Sequence, residues 1–407
     1  MIDRIITLQG PDRVRKRAAV IFGSDGIEGA QAAVRLLTDI FASEALLGYC
    51  GSITVCQDNA DIFVNCDDRG LYLGQNLPNC HDIWNSVFCE LYPGLQSGPS
   101  EDEYHFSFFE YHHGLYFGDA IPSQGVFLPD TSGMNDLCML QYACEEMNVT
   151  VVRDGLSSEL NFRCGYNVGG IRSSQTSAPN GTHIHLRLDP SVFSETVLTA
   201  QFFKGLLSDY AMLIPGLKTE YTNRSDGSTA SFCFLNGLSE YVSRHVVKSY
   251  APIYAHQATA IGKDRYNQRE YQASVKVAMC FVPDGATSAC YHNLKCLQKG
   301  GTHIMEIKDM VCTGINAAFG RYIADKTGIA EAIIQPEELE PYIHLMVDTR
   351  CSRFATQWKD GARQSIRNIM IKDMAHDLFS QEFENYVYSH KKQLQPMIDA
   401  ILTARTE

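Results

Sequence analysis
The sequence has no run of 18 apolar residues, so nothing in it reads as a membrane-spanning helix. No C-x-x-C pair occurs among its 14 cysteines; the nearest pairs are Cys50/Cys56, Cys138/Cys144 and Cys290/Cys296, each six apart. Structural zinc sites place their ligands in tighter knuckles, so no metal is expected, and the thiols read as small buried hydrophobes of a reducing compartment. A surplus of positive charge is missing too: 34 Lys and Arg against 47 Asp and Glu leave a net charge of −13. Broad electrostatic binding to nucleic acid needs lysine and arginine to displace counterions, so DNA is not expected as a ligand of this chain alone. One local cluster remains, Arg13, Arg15, Lys16 and Arg17, which reads either as a basic patch or as a solvated turn of charged residues. Met1-Ile2-Asp3-Arg4 lacks the apolar core of a secretory signal, and the expected location is the cytoplasm. Internal repeats and low-complexity tracts are absent as well.

What is present is an ordinary globular composition, 45% apolar and 20% charged over 407 residues, long enough for two domains with cores of their own. From Ile27 to Leu47 apolar residues recur at helical spacing, with Val34, Leu37, Phe41 and Ala45 on one stripe. Leu36 and Ile40, four apart, share the adjacent face. Short strands are expected at Ser52 to Val55 and Asp61 to Asn65, then a helix from about Met134 to Met147. A hairpin follows, from Val149 to Val152 and Glu159 to Phe162, turning at Arg153-Asp154-Gly155. His183 to Leu188 alternates strictly, which puts His183, His185 and Arg187 on one strand face. Two histidines on one face suit a metal, but without a third ligand nearby they read as solvent-facing residues. The turn cluster Arg224-Ser225-Asp226-Gly227 marks the expected end of a first domain. Beyond it, Tyr271 to Phe281 alternates as a strand, Ile307 to Ile323 forms an amphipathic helix ended by Gly328, and Ile366 to Phe379 opens a last helical region.

Several short runs, taken in order, carry a resemblance. Val14-Arg15-Lys16-Arg17 precedes Ile21-Phe22-Gly23; then come Glu44-Ala45-Leu46-Leu47-Gly48, Arg69-Gly70, Gly181-Thr182, Gly300-Gly301-Thr302-His303 and Gln357-Trp358-Lys359. At these spacings the chain resembles the ATPase and transducer half of the B subunit of DNA gyrase and topoisomerase IV. The resemblance covers about residues 12 to 390. It implies an α+β chain: a GHKL (Bergerat-type) α/β sandwich over 1–228, a transducer domain with a mostly β sheet and packed helices over 229–390, and a helical tail over 391–407.

It also implies where an ATP site would lie, and there this sequence departs from the family. The helix before E-A-L-x-G carries E-x-x-x-N in relatives, with Glu as general base and Asn as magnesium ligand. Counting back from Glu44, the base position is Leu36 and the metal position is Ile40. Leucine cannot accept a proton, and isoleucine offers no oxygen to a hard cation. The adenine-side motif D-x-G-R-G corresponds to Cys66-Asp67-Asp68-Arg69-Gly70. With Arg-Gly held fixed its first aspartate falls on Cys66; with one residue inserted, Asp67 takes the adenine role. The phosphate-cradling glycine loop corresponds to about Thr131 to Asp136, where only Gly133 survives and Asp136 would repel an anion. Gly181 and Thr182 match the Gly-Thr that helps to hold adenine, and Gln357 and Lys359 match the transducer residues that approach the γ-phosphate, although Thr182 and Lys359 also read as a strand cap and a surface lysine. Leu91 to Gln124, aromatic and without clear period, occupies the place of the ATP lid.

The resemblance therefore implies a gyrase-B-like module that has lost ATP hydrolysis and serves as a binding or regulatory protein. ATP and Mg are its cofactors only if the site works. The expected partner is a second copy or a topoisomerase B subunit, with no membrane. The enzymatic alternative is an ATP-hydrolysing topoisomerase component whose catalytic carboxylate comes from Glu101, Asp102 or Glu103; a third reading is a pocket adapted to another small ligand. No D-x-D metal cluster stands at the C-terminal end, so strand passage is not expected of this polypeptide alone.

Overall fold
A computed structural model of the chain describes residues 8, 10–74, 83–92, 116–117, 135–263, 270–351, 356, 359 and 364–405, with Gln381 by its backbone. Two compact units divide it, Met1–Cys233 and Phe234–Glu407. The first unit runs past the Arg224–Gly227 turn because the strand after it, Thr229–Phe232, pairs back onto Lys218–Asn223.

In the first unit, α1 (Pro11–Arg15) and α2 (Ala18–Ile21) lead into α3 (Ile27–Leu46). The apolar stripe read from the sequence is the buried face of α3: Val34, Leu37 and Phe41 are fully enclosed. Gly48 ends the helix in the left-handed region at φ 82°. Two crossed bonds seal that end, Tyr49 N–H to the Glu44 carbonyl at 2.9 Å and Gly48 N–H to the Ala45 carbonyl at 3.0 Å. This pair of bonds satisfies carbonyls that would otherwise be orphaned, and the positive φ favours glycine. β1 (Ser52–Asp58) and β2 (Asp61–Cys66) follow as an antiparallel hairpin, each burying every second residue.

After α4 (Ile83–Cys89) comes α5 (Asp136–Ala143), whose residues are all buried. Asn135 starts α5: its carbonyl oxygen accepts from Cys138 N–H, and its amide donates to the carbonyls of Ser86, Val87 and Glu90. The helix expected to reach Met147 stops at Ala143. Cys144 to Met147 belong instead to β3 (Cys144–Arg153), hydrogen-bonded on one side to β4 (Leu156–Arg163) and on the other to β7 (Gly181–Leu188), with β5 (Tyr166–Asn167) and β6 (Arg172–Gln175) between those two in sequence. The ladder to two neighbours outweighs a local helical pattern. Then come α6 (Ala200–Leu213), β8 (Lys218–Asn223) and β9 (Thr229–Phe232). The nine-stranded sheet runs β5-β4-β3-β7-β2-β1-β8-β9, with β6 beside β4. One face carries Ile53, Val55, Ile62, Val64, Ile184 and Leu186 into the core.

The second unit holds α7 (Gly237–His245), β10 (Tyr254–Lys263), β11 (Glu270–Phe281), β12 (Ser288–His292), β13 (Lys295–Cys296), α8 (Thr302–Thr327), α9 (Pro336–Leu339), β14 (Ile343–Cys351), α10 (Ile369–Ser389) and α11 (Lys391–Ala404). Its five strands are ordered β10-β11-β14-β12-β13, with β12 and β14 parallel and joined through α8. Val275, Val277 and Met279 of β11, Leu345 and Val347 of β14, and Ile307, Ile315 and Phe319 of α8 form one core with Phe379 and Phe383 of α10. Leu394, Met397, Ile398 and Ile401 of α11 are part of that core, so the final helix is an integral layer of this unit. Among the described residues, no helix is long and apolar enough to cross a membrane.

Candidate functional site
The site builds from α3 and from the turn that follows β2. Leu36, Ile40 and Glu44 stand four apart and share one face of α3. Ile40 is 2% exposed, whereas Leu36 is only half-buried. Glu44 is wholly buried, and Arg69 meets it with two parallel bonds, Nε to Oε2 at 2.9 Å and Nη2 to Oε1 at 3.1 Å. The guanidinium also stacks on Tyr49, 3.8 Å from the ring centroid. A buried carboxylate needs such a partner, and the planar fork of arginine matches it on both oxygens.

The turn after β2 carries two adjacent acids with opposite fates. Asp67 is exposed, and its Oδ1 accepts from the backbone N–H groups of Gly51 and Ser52 at 2.8 and 2.7 Å. Asp68 is 2% exposed. Its two carboxylate oxygens each lie 3.0 Å from the Thr182 hydroxyl, and Oδ1 also accepts from Gly70 N–H at 2.9 Å. The acid buried beside Thr182 is thus Asp68, not Asp67, which corrects the placement that the inserted-residue alignment suggests. Burial, with the neighbouring charges of Glu44 and Asp67 adding to it, lifts the Asp68 carboxyl to about 7 against the pull of its own hydrogen bonds.

Thr182 and Gly181 sit at the start of β7, where Thr182 lies opposite Cys66 of β2 and Val151 of β3. The Thr182 hydroxyl accepts from Leu71 N–H at 3.2 Å, so it links the turn to the sheet. A Cβ on Gly181 would stand 2.9 Å from the Cys66 carbonyl oxygen; glycine is what lets β7 approach β2 there. Arg153 closes the far side, donating to the carbonyls of Gly70 at 3.1 Å and Phe117 at 2.9 Å.

Gly133 and Gln357 lie outside the described residues, as do Glu101, Asp102 and Glu103. Asn135 and Asp136 of the expected phosphate loop form the cap and first turn of α5. Lys359, in the second unit, is exposed, and its backbone N–H donates to the Ser365 carbonyl. In the basic cluster near the N-terminus, Arg15 is tied into the fold while Arg13, Lys16 and Arg17 are exposed. Arg15 pairs with Asp189 and donates to the Tyr142 carbonyl at 3.2 Å, and Lys16 pairs with Asp12. His183 and His185 are held by neighbours on the sheet, His183 by Asn65 and His185 by Asp61 and Asn148.

Comparison with known proteins places this architecture. A model of the DNA gyrase B family matches residues 237–407. The chain is 28% identical over 241 residues to the DNA gyrase B subunit of Thermotoga maritima, covering 59% of this chain and 34% of that protein. It is 22% identical over 409 residues to the DNA gyrase B subunit of Clostridium acetobutylicum, covering 98% of this chain and 58% of that one. Over residues 237–407 the chain matches the DNA gyrase B family, and it is similar to gyrase B subunits along nearly its whole length.

Solved structures agree on the fold. The 43K ATPase domain of Thermus thermophilus gyrase B in complex with an aminocoumarin superposes with TM-score 0.65 at 18% identity, covering 97% of this chain and 94% of that domain. The topoisomerase IV ATP binding domain of Francisella tularensis gives 0.66 at 14% identity, covering 98% and 99%. The gyrase B and topoisomerase IV fold, a GHKL-type sandwich followed by a transducer-type sheet with packed helices, is therefore present in this α+β chain. The chain spans only 34% and 58% of the length of the two gyrase proteins it matches.

Proposed function
We propose that this chain is a gyrase-B-like ATPase-plus-transducer module that has lost ATP hydrolysis and acts by binding, as a regulatory partner of itself or of a topoisomerase B subunit. One observation carries the reading. The α3 face offers hydrocarbon at Leu36 and Ile40, and the two buried acids beside it are already engaged, Glu44 by Arg69 and Asp68 by Thr182. Hydrolysis of a nucleoside triphosphate requires a positioned water, a divalent cation and a clamp on the transferred phosphate. Oxygen ligands for magnesium are missing at position 40, and a base is missing at position 36. The residues present do not fit a magnesium–ATP centre, and no catalytic step is derived through one.

What is preserved is the scaffold that surrounds such a centre in the family: the Glu44–Arg69 pair, the Gly181–Thr182 entry to β7 and the capped end of α3. Retention of these elements serves folding of the module, and the module then offers surfaces rather than turnover. Titration calorimetry with ATP and with a non-hydrolysable analogue, each with magnesium, tests the reading. Binding is expected to be absent or weaker than about millimolar, because Thr131 to Asp136 keeps only Gly133 of the family's phosphate-cradling glycines. A saturable micromolar site would overturn it and favour an ATP-using topoisomerase component.

A further inference from the structure
Cys50 and Cys66 are far apart in sequence, yet the fold brings them together. Cys50 follows the turn that ends α3, Cys66 ends β2, and the β1/β2 hairpin sets Ile53 opposite Cys66. Their Sγ atoms stand 2.8 Å apart. That separation lies well inside the roughly 3.5–4 Å of ordinary non-bonded contact and approaches the ~2.05 Å of a covalent sulfur–sulfur bond. Cys66 is 2% exposed and Cys50 6%, the latter between exposed Tyr49 and Gly51.

We propose that Cys50 and Cys66 form an oxidation site, at which a peroxide joins them in a reversible disulfide that clamps the end of α3 to the Asp67–Gly70 turn. Cys50, nearer the surface, loses its proton, and its sulfur attacks one peroxide oxygen. The O–O bond breaks, leaving a sulfenic acid on Cys50 and a hydroxide that takes up the proton as water. The Cys66 sulfur then attacks the Cys50 sulfur; the S–S bond forms, the S–O bond breaks, and the departing hydroxide leaves as a second water with the Cys66 proton. Two electrons pass from the sulfurs to the peroxide. Burial, the contact with Cys50 and the charge of Asp68 push the Cys66 thiol up, so Cys66 is the poorer first nucleophile and gives up its proton only as the hydroxide departs from Cys50.

A metal is the rival occupant, since a carboxylate oxygen of Asp67 completes a group of three donors within 4.8 Å of one another. Two thiolates on one tetrahedral zinc, with bonds of about 2.3 Å, need sulfurs about 3.7 Å apart. The observed 2.8 Å is too short for that and closer to a bond between the sulfurs. Asp67 Oδ1 is, moreover, already committed to Gly51 and Ser52.

The test uses the whole reduced chain. After exposure to hydrogen peroxide the protein is unfolded, its free thiols are alkylated, and the digest is mapped by mass spectrometry. A peptide pair linked through Cys50 and Cys66 is expected, two hydrogens lighter than the reduced pair and released by dithiothreitol. The Cys50→Ser variant should lack it. The oxidised chain should melt higher than the reduced one, on the order of 5 °C, because the cross-link closes a loop in the unfolded state. Full alkylation of both thiols after peroxide, linkage of either one to a different cysteine, an unchanged Tm in the linked form, or release of stoichiometric zinc from untreated protein would each overturn the proposal.

Discussion

Replacing Ile40 with asparagine, the residue that the resemblance to gyrase B implies as metal ligand there, tests whether that side chain is a plug or a pocket wall. Ile40 is 2% exposed and sits on α3 one turn before the buried Glu44. Removing a buried isoleucine's hydrocarbon costs about 2–5 kcal/mol. An amide enclosed there without partners adds about 1–3 kcal/mol. The two effects overlap in part, so a loss of roughly 3–6 kcal/mol is expected. For a unit of 233 residues this corresponds to a fall in Tm of about 10 °C or more. Leu36→Glu should cost much less, because Leu36 is half-buried and a carboxylate there can reach water. Thermal and denaturant unfolding of the two single variants and the double variant measure the difference. An Ile40→Asn protein that melts with the wild type would refute the reasoning, since it would place position 40 against a hydrated cavity.

Two further predictions concern the buried acids. Asp68 carries a carboxyl raised from 3.8 to about 7, so the folded state binds its proton more tightly than the unfolded state. Its contribution to stability is complete below about pH 4, is lost progressively as pH rises towards 7, and amounts to about 4 kcal/mol over that window. Unfolding measured from pH 4 to pH 8 should show this decline, and Asp68→Asn should flatten it; an identical slope in the variant would exclude Asp68 as the source. Arg69→Ala leaves the Glu44 carboxylate buried without its bidentate partner and should cost about 3–5 kcal/mol by denaturant unfolding, with Glu44→Gln in the same chain recovering part of the loss. A neutral Arg69→Ala would mean that water already reaches Glu44.

The sequence was most legible where a period runs long. The stripe Val34, Leu37, Phe41 of α3, a strand over Tyr271 to Phe281 and the glycine end at Gly328 all reappear where spacing puts them, although β11 buries both faces along most of its length. It was least legible at junctions. Cys144 to Met147 lie in β3 because strands on both sides demand them, a constraint that no local pattern records. Asp67 and Asp68 are neighbours of identical chemistry in a turn without periodicity. Which one is buried depends on the backbone path into Gly70 and on where Thr182 arrives from β7. The Cys50–Cys66 contact was hidden for the same reason. Cys50 and Cys56 are the closer pair in sequence, but the hairpin brings Cys66 to Cys50 instead. The basic run at Arg15 shows the converse, a charged cluster whose role became visible only with Asp189 beside it.

The central claim is the loss of hydrolysis, and steady-state release of phosphate from ATP by the purified full chain, with magnesium, tests it most directly. The account predicts no rate above that of buffer at any protein concentration, since removal of both the base and the metal ligand costs orders of magnitude. Magnesium-dependent turnover that scales with protein and disappears on Asp68→Asn or Thr182→Val would contradict it.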